Sequence, residues 1–197
     1  MRYFIVIFIL LTNFYANEIS VNQLIKYYQA GDYKKVCLYG IKIFHKLKRD
    51  ENLVSMYGIS CLKSDYIDRL SVPATVLKKT KSGRKNAIYF LTIMLQKKIL
   101  FSSLFDNFQI SNVKFPNTDY ILSKIFRLYQ EKRYKKNKNE LIFKDLTNKD
   151  KTYKLILIKD KEPKIELLEL INNKIVDRHL YWWGENGKDS TFVFWKI

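Results

Sequence analysis

Apolar residues recur at helical spacing through the first two thirds of this chain and alternate at strand spacing through the last third. Leu24 to Val36 reads as helix, break, helix, because Ala30-Gly31-Asp32 interrupts the pattern just before Tyr33. Ser71-Val72-Pro73 predicts a helix start with Pro in the first turn. The basic run Lys78 to Lys85 reads as a solvated connector. It lacks the spacing of a phosphate-binding loop and follows no strand. Ala87 to Leu95 is apolar on nearly every face, which predicts a centrally buried helix too short to cross a bilayer. The polar Gln96-Lys97-Lys98 then separates it from a second helix carrying Ile99, Leu100, Phe101, Leu104 and Phe105. After a loop from Asp106 to Asn117, Pro116 with Asn117 or Thr118 starts the last helix, with Ile121, Leu122, Ile125, Leu128 and Tyr129 as its apolar positions.

Beyond the polar, basic stretch Lys132 to Asn139 the period changes. Glu140 to Lys144, Thr152 to Lys159, Lys164 to Ile171 and Lys174 to Trp182 predict strands, and Thr191 to Trp195 predicts a final one. Asn172-Asn173 is a two-residue hairpin turn, since Asn tolerates positive φ, and Lys161-Glu162-Pro163 is the turn before it. The expected class is therefore α+β, an array of α-helical hairpins followed by a small antiparallel β-meander. The meander is small for a core of its own and is expected to pack on the last helices or on a partner. Tyr181, Trp182, Trp183, Phe192, Phe194 and Trp195 cluster near its end, as core, edge cover or an exposed binding face.

The helical part carries a period. Tyr33 recurs as Tyr66 after Ser64-Asp65; a further step reaches Leu100, and another reaches Tyr134 in Lys132-Arg133-Tyr134-Lys135-Lys136, which echoes Tyr33-Lys34-Lys35. The repeat length is about that of a tetratricopeptide unit, and Gly31-Asp32-Tyr33 resembles the turn between its two helices, with Gly leaving the helix and Asp capping the next. Val36, Gly40 and Ile43 depart from the usual small, aromatic and small residues of that family. The resemblance, to a degenerate tetratricopeptide-like array over residues 20–135 and to small exported bacterial proteins of this architecture, implies stacked helix pairs with a concave groove. It brings no activity. Tyr27, Tyr28, Tyr57 and Lys63, on the first helix of each unit, are the candidate groove residues.

Cys37 and Cys61 fall in the second helix of one unit and the first helix of the next. Their midpoint lies in the polar turn Lys48-Arg49-Asp50-Glu51-Asn52. At about 1.5 Å rise per residue the two would be level in an antiparallel hairpin, within reach of the roughly 4.4–6.8 Å Cα separation of a disulfide. Two buried free thiols are the alternative. Such a staple belongs to an oxidising compartment, and the N-terminus points the same way. Met1-Arg2-Tyr3 is a short basic head, Phe4 to Leu11 an apolar core, and Tyr15-Ala16 precedes polar Asn17-Glu18, the layout of a signal peptide cleaved after Ala16. Phe14 departs from the small-x-small rule, so an uncleaved inner-membrane anchor and, behind it, a buried N-terminal helix of a cytosolic protein are the alternatives. The resulting organisation is a signal peptide over 1–16, helical repeats over 17–135 and the meander over 136–197, in a periplasmic protein.

Composition changes this picture in one respect. The formal net charge is +17, carried by 36 Lys and Arg against 19 Asp and Glu and spread across the connectors rather than gathered in a block. It reads either as attraction to anionic lipid or acidic glycan or as codon bias in an AT-rich genome, consistent with only 6 Gly and 3 Pro. Lys154, Lys159, Lys164, Arg178 and Trp182 interleave bases with aromatics but form no nucleic-acid signature, and export argues against that partner. Catalysis has little footing. His45 lies among lysines, His179 beside Arg178, and neither is tied to a Ser or Cys motif. Asp65 and Asp68 are expected to pair with nearby Lys63, Arg69 and the Tyr66 hydroxyl. Two Cys and two His at these spacings make no zinc set. The expected function is a non-catalytic, exported binding or assembly module for a protein of the cell envelope, with no cofactor. A membrane-tethered protein on anionic lipid or another envelope polyanion, and a cell-wall enzyme, are the alternatives.

Overall fold

The computed structural model describes residues 19–110 and 114–184. Among the described residues, seven α-helices and a 3-10 turn come first and a five-stranded antiparallel sheet follows, an α+β layout. The residues expected to form a signal peptide and the strand expected over Thr191 to Trp195 lie outside the described residues.

Helix α1 (Val21–Gln29) starts on Ser20, whose hydroxyl accepts the Gln23 N–H, and ends where Gly31 takes a φ of 75°. The chain enters α2 (Tyr33–Gly40) through Asp32, which does not cap it as expected; its carboxylate pairs with Lys35. A short helix α3 (Phe44–Leu47) interrupts the descent, then Asp50 caps α4 (Glu51–Lys63). Cys37 and Cys61 meet at disulfide distance between α2 and α4, with Cα atoms 4.8 Å apart, as the level hairpin predicts. Gly40 permits this packing, and Gly58 permits the close approach of Phe90 to α4. A Cβ on Gly40 would lie 2.6 Å from the Tyr57 ring, and one on Gly58 would lie 2.4 Å from Phe90.

A 3-10 turn (Ile67–Leu70) leads to α5 (Ser71–Val76), which contains Pro73 in its first turn. The next element corrects the pattern reading. Lys81–Phe105 is one uninterrupted helix, α6, so residues 81–85 are helical rather than connector, and Gln96-Lys97-Lys98 is no break. Lys97 stays in the helix because its ammonium finds a charge partner inside the protein, the Asp68 carboxylate; Lys98 reaches the other oxygen of Asp68 at 2.7 Å. Glu51 fixes the start of α6 from a distance. Its carboxylate accepts the backbone N–H groups of Lys78 and Lys79, both at 2.6 Å, and of Thr80 at 2.8 Å, while Thr80 caps α6 through Gly83. Nor is α6 buried on all sides. Ala87, Phe90, Ile93, Leu100 and Phe101 face inward, while Ile88, Leu91 and Leu95 are 62, 45 and 50 % exposed. By length and apolarity α6 could cross a bilayer, yet its inward face is packed as a core helix.

Helix α7 (Ile121–Gln130) begins a few residues later than expected and buries Leu122, Ile125, Phe126 and Leu128. The sheet opens with an edge strand the pattern missed, β1 (Lys135–Asn137), whose residues are all exposed. It then runs as a meander through β2 (Glu140–Lys144), β3 (Lys151–Ile158), β4 (Lys164–Ile171) and β5 (Lys174–Trp182), paired in that order. Asn172 and Asn173 both take positive φ, 49° and 61°, at the β4–β5 hairpin. Leu141, Phe143, Tyr153, Leu155, Ile165, Leu167 and Tyr181 join the helical residues in a single buried cluster, so the sheet shares a core with the helices. A polar tie supports the joint, where Lys124 of α7 donates to Asp145 at 2.6 Å and to the Tyr153 hydroxyl at 3.0 Å. Burial opposes charge on Asp145, but hydrogen bonds from Lys124, Tyr153 and Thr147 outweigh it and hold the carboxyl far below the usual carboxylate range.

Candidate functional site

The second joint between helices and sheet is where polar chemistry converges. Helix α4 ends with Asp65 at a φ of 63°, with the Asp65 and Tyr66 N–H groups returning to the Leu62 and Cys61 carbonyls. That is the left-handed ending Gly31 gives α1, but with a side chain where Gly or Asn is usual. The carboxylate is thereby held off the helix end and faces the sheet. Its Oδ1 accepts the Tyr120 hydroxyl at 2.7 Å and lies 3.0 Å from Nδ1 of His179 on β5, with Oδ2 at 3.2 Å. Tyr120 in turn meets the Tyr181 hydroxyl at 3.1 Å.

On the same face of the sheet, Glu169 of β4 sits directly opposite Asp177 of β5. Like charges directly opposed across a ladder are unfavourable by themselves. The His179 Nε2 lies between them, 3.5 Å from Glu169 Oε1 and 3.6 Å from Asp177 Oδ2. It is shielded from solvent and makes no hydrogen bond. Burial works against charge on the ring, but the hydrogen bond to Asp65 and the carboxylates of Asp65, Asp177 and Glu169 prevail and raise the His179 pKa above its ordinary 6.5. Burial first, and then the Asp65 charge for Tyr120 and the neighbouring Tyr120 and Asp65 for Tyr181, push both hydroxyls well above 10, so both stay protonated donors.

A cleft of about 690 Å³ opens beside this cluster. Leu62, Lys63, Lys85, Tyr89, Tyr120 and His179 are among the residues lining it, so it draws on α4, α6, α7 and β5. Tyr89 of α6 donates to Asp119 at 2.8 Å across the cleft, and burial with that contact raises its pKa. A larger cleft of about 840 Å³, with Phe108, Ile110, Phe115 and Arg127 in its walls, adjoins the boundary of the described residues and lies away from these ionisable clusters.

The sequence-derived groove residues do not share one surface. Tyr57 is fully buried, with its ring against Phe44 and Gly40, and so belongs to the core rather than a groove. Tyr27 packs half-buried against Tyr39 beneath the Lys35 ammonium. Tyr28 lines a smaller hollow with Glu51 and Asn52, while Lys63 lines the junction cleft; Tyr33 connects them, edge-on to Tyr28 and accepting from Lys63 at 3.1 Å. Asp65 and Asp68 are satisfied by distant partners rather than the local ones expected, because the turn after α4 aims them at β5 and α6. His45 lies in α3 among lysines. The site residues that pattern reading missed, Glu169, Asp177, Tyr120 and the pairing of Asp65 with His179, are joined across as many as 114 residues. Their one visible signal is three carboxylates and a histidine that leave the apolar alternation of β4, β5 and the α4 end. No protein-family model, curated protein or solved structure matches this chain.

Proposed function

We propose that this chain is a non-catalytic binding or assembly module of the bacterial periplasm, built on a degenerate tetratricopeptide-like helical array and recognising a protein partner of the cell envelope. The observation that carries the reading is the row Ile88, Leu91 and Leu95 on α6, one apolar face of a long helix left at the surface beside the junction cleft. Exposed apolar rows next to a polar rim are the surfaces proteins use to bind one another. The hydroxyls at the cleft support a binding rather than a catalytic role. Half-buried Tyr120 is locked onto Asp65 and onto Tyr181, which is buried behind it, and Tyr89 is committed to Asp119. The disulfide suits export to an oxidising compartment.

A photo-crosslinking residue placed at Leu91 tests this in living cells. The expected outcome is a discrete adduct with one envelope protein, lost when Leu95→Glu is added and absent when the crosslinker sits at exposed Lys34. Equal labelling from Leu91 and Lys34, or none from Ile88, Leu91 or Leu95, would contradict it.

A further inference from the structure

We infer that His179, Glu169 and Asp177 form a binding site for one divalent first-row transition ion, with zinc the best match to the donor set. The inference does not depend on the partner-binding role. Three donor atoms converge: His179 Nε2, Glu169 Oε1 and Asp177 Oδ2, all within 4.8 Å of one another. Zinc bonds of about 2.0–2.2 Å at tetrahedral angles place ligand atoms about 3.3–3.5 Å apart. The distances from Nε2 to the two carboxylate oxygens, 3.5 and 3.6 Å, match that spacing rather than a hydrogen bond. Asp177, 61 % exposed at the side chain, has room to rotate and close the remaining edge.

Each ligand is also held by its other atom, which leaves the converging atom available. Asp65 holds Nδ1 of His179, the carboxylate–histidine arrangement that orients metal-binding imidazoles and raises their basicity. Lys151 holds Glu169 through Oε2 at 2.5 Å, and the Arg178 N–H holds Asp177 through Oδ1 at 2.7 Å. Nε2 is the one ring nitrogen without a hydrogen bond, and it is turned inward between two carboxylates. Three carboxylates around one imidazole run against the composition of a chain with formal charge +17, and the opposed Glu169–Asp177 pair has no other cation bridging it at those oxygens among the contacts of the described residues. A bound cation would offset that repulsion and link the β4–β5 hairpin, through His179 and Asp65, to the end of α4. The ligand set contains no sulfur, since both cysteines are committed to each other.

The test is titration of the tag-free, chelator-stripped chain with zinc against a competing fluorescent chelator, followed by zinc X-ray absorption on the loaded protein. One equivalent should bind, with nitrogen and oxygen but no sulfur scattering. His179→Gln and, in case that variant is unstable, the surface change Asp177→Asn should each abolish stoichiometric binding, with His45→Gln leaving it intact. Asp65→Asn should weaken binding about 10- to 100-fold while the ligands remain. Failure to bind one equivalent would mean that His179 is an imidazolium held by carboxylates alone and would overturn the inference, as would binding that survives both His179→Gln and Asp177→Asn.

Discussion

Asp65 and Gly58 show how single residues set this structure. Asp65 accepts a positive φ at a position where glycine relieves strain elsewhere in the chain, and the side chain it retains is the one that reaches His179 and Tyr120. Asp65→Gly should therefore relax the helix end yet loosen the helix–sheet joint. Gly58 is set by a close approach. An added Cβ would lie 2.4 Å from Cε2 and 2.6 Å from Cζ of the buried Phe90 ring. Gly58→Ala is expected to destabilise the fold by about 1–3 kcal/mol by forcing α4 and α6 apart, read from the urea midpoint. An unchanged midpoint would show that Phe90 has room to move. Neither residue was legible locally. The period in the sequence aligns Tyr33 with Tyr66, whereas the residues in equivalent backbone positions are Gly31 and Asp65, one step out of that register.

At the scale of elements, most strands were readable, while the ends of α6 and α7 and the long-range partners were not. The bounds of β2, β4 and β5 follow from alternation and from Asn172-Asn173, both local signals. The uninterrupted α6 was not readable, because a polar trio in an apolar run looks like a turn until Asp68 is known to receive Lys97 and Lys98. The α4–α6 joint depends on the same kind of remote contact. Hydrogen bonds from the Thr80 hydroxyl and from the Lys79, Thr80 and Lys78 amides pull the Glu51 pKa from its ordinary 4.5 down to about 2. A carboxyl with a folded pKa below its unfolded one stabilises the fold above the unfolded pKa and loses that contribution as pH falls through the folded one. Wild type should accordingly exceed Glu51→Gln in stability above about pH 4.5, with the gap closing toward pH 2. A gap that stays constant across that range would mean that Glu51 acts by shape alone.

For the molecule as a whole, what matters is that the helices and sheet share one core and two polar joints. Asp145 is almost fully buried against Lys124, so Lys124→Met leaves a shielded carboxylate without its cation. It should cost about 2–3 kcal/mol and, because the joint is shared, should lower the helical and sheet signals together in one transition. Two separate transitions would show that the sheet folds apart from the helices. The Cys37–Cys61 staple acts on the chain's other end, where closing the loop contributes about 3 kcal/mol on the chain-entropy estimate. Cys37→Ser should lower stability by that order, and reductant should lower the wild type to the same level.

The proposed export accounts for both the staple and the envelope partner, and the intact mass of the chain recovered from cells, with thiols alkylated before and after reduction, tests it most directly. The account predicts a mass lacking residues 1–16, with Cys37 and Cys61 resistant to alkylation until reduced. A full-length mass with two freely alkylated thiols would contradict it and return the chain to a reducing compartment.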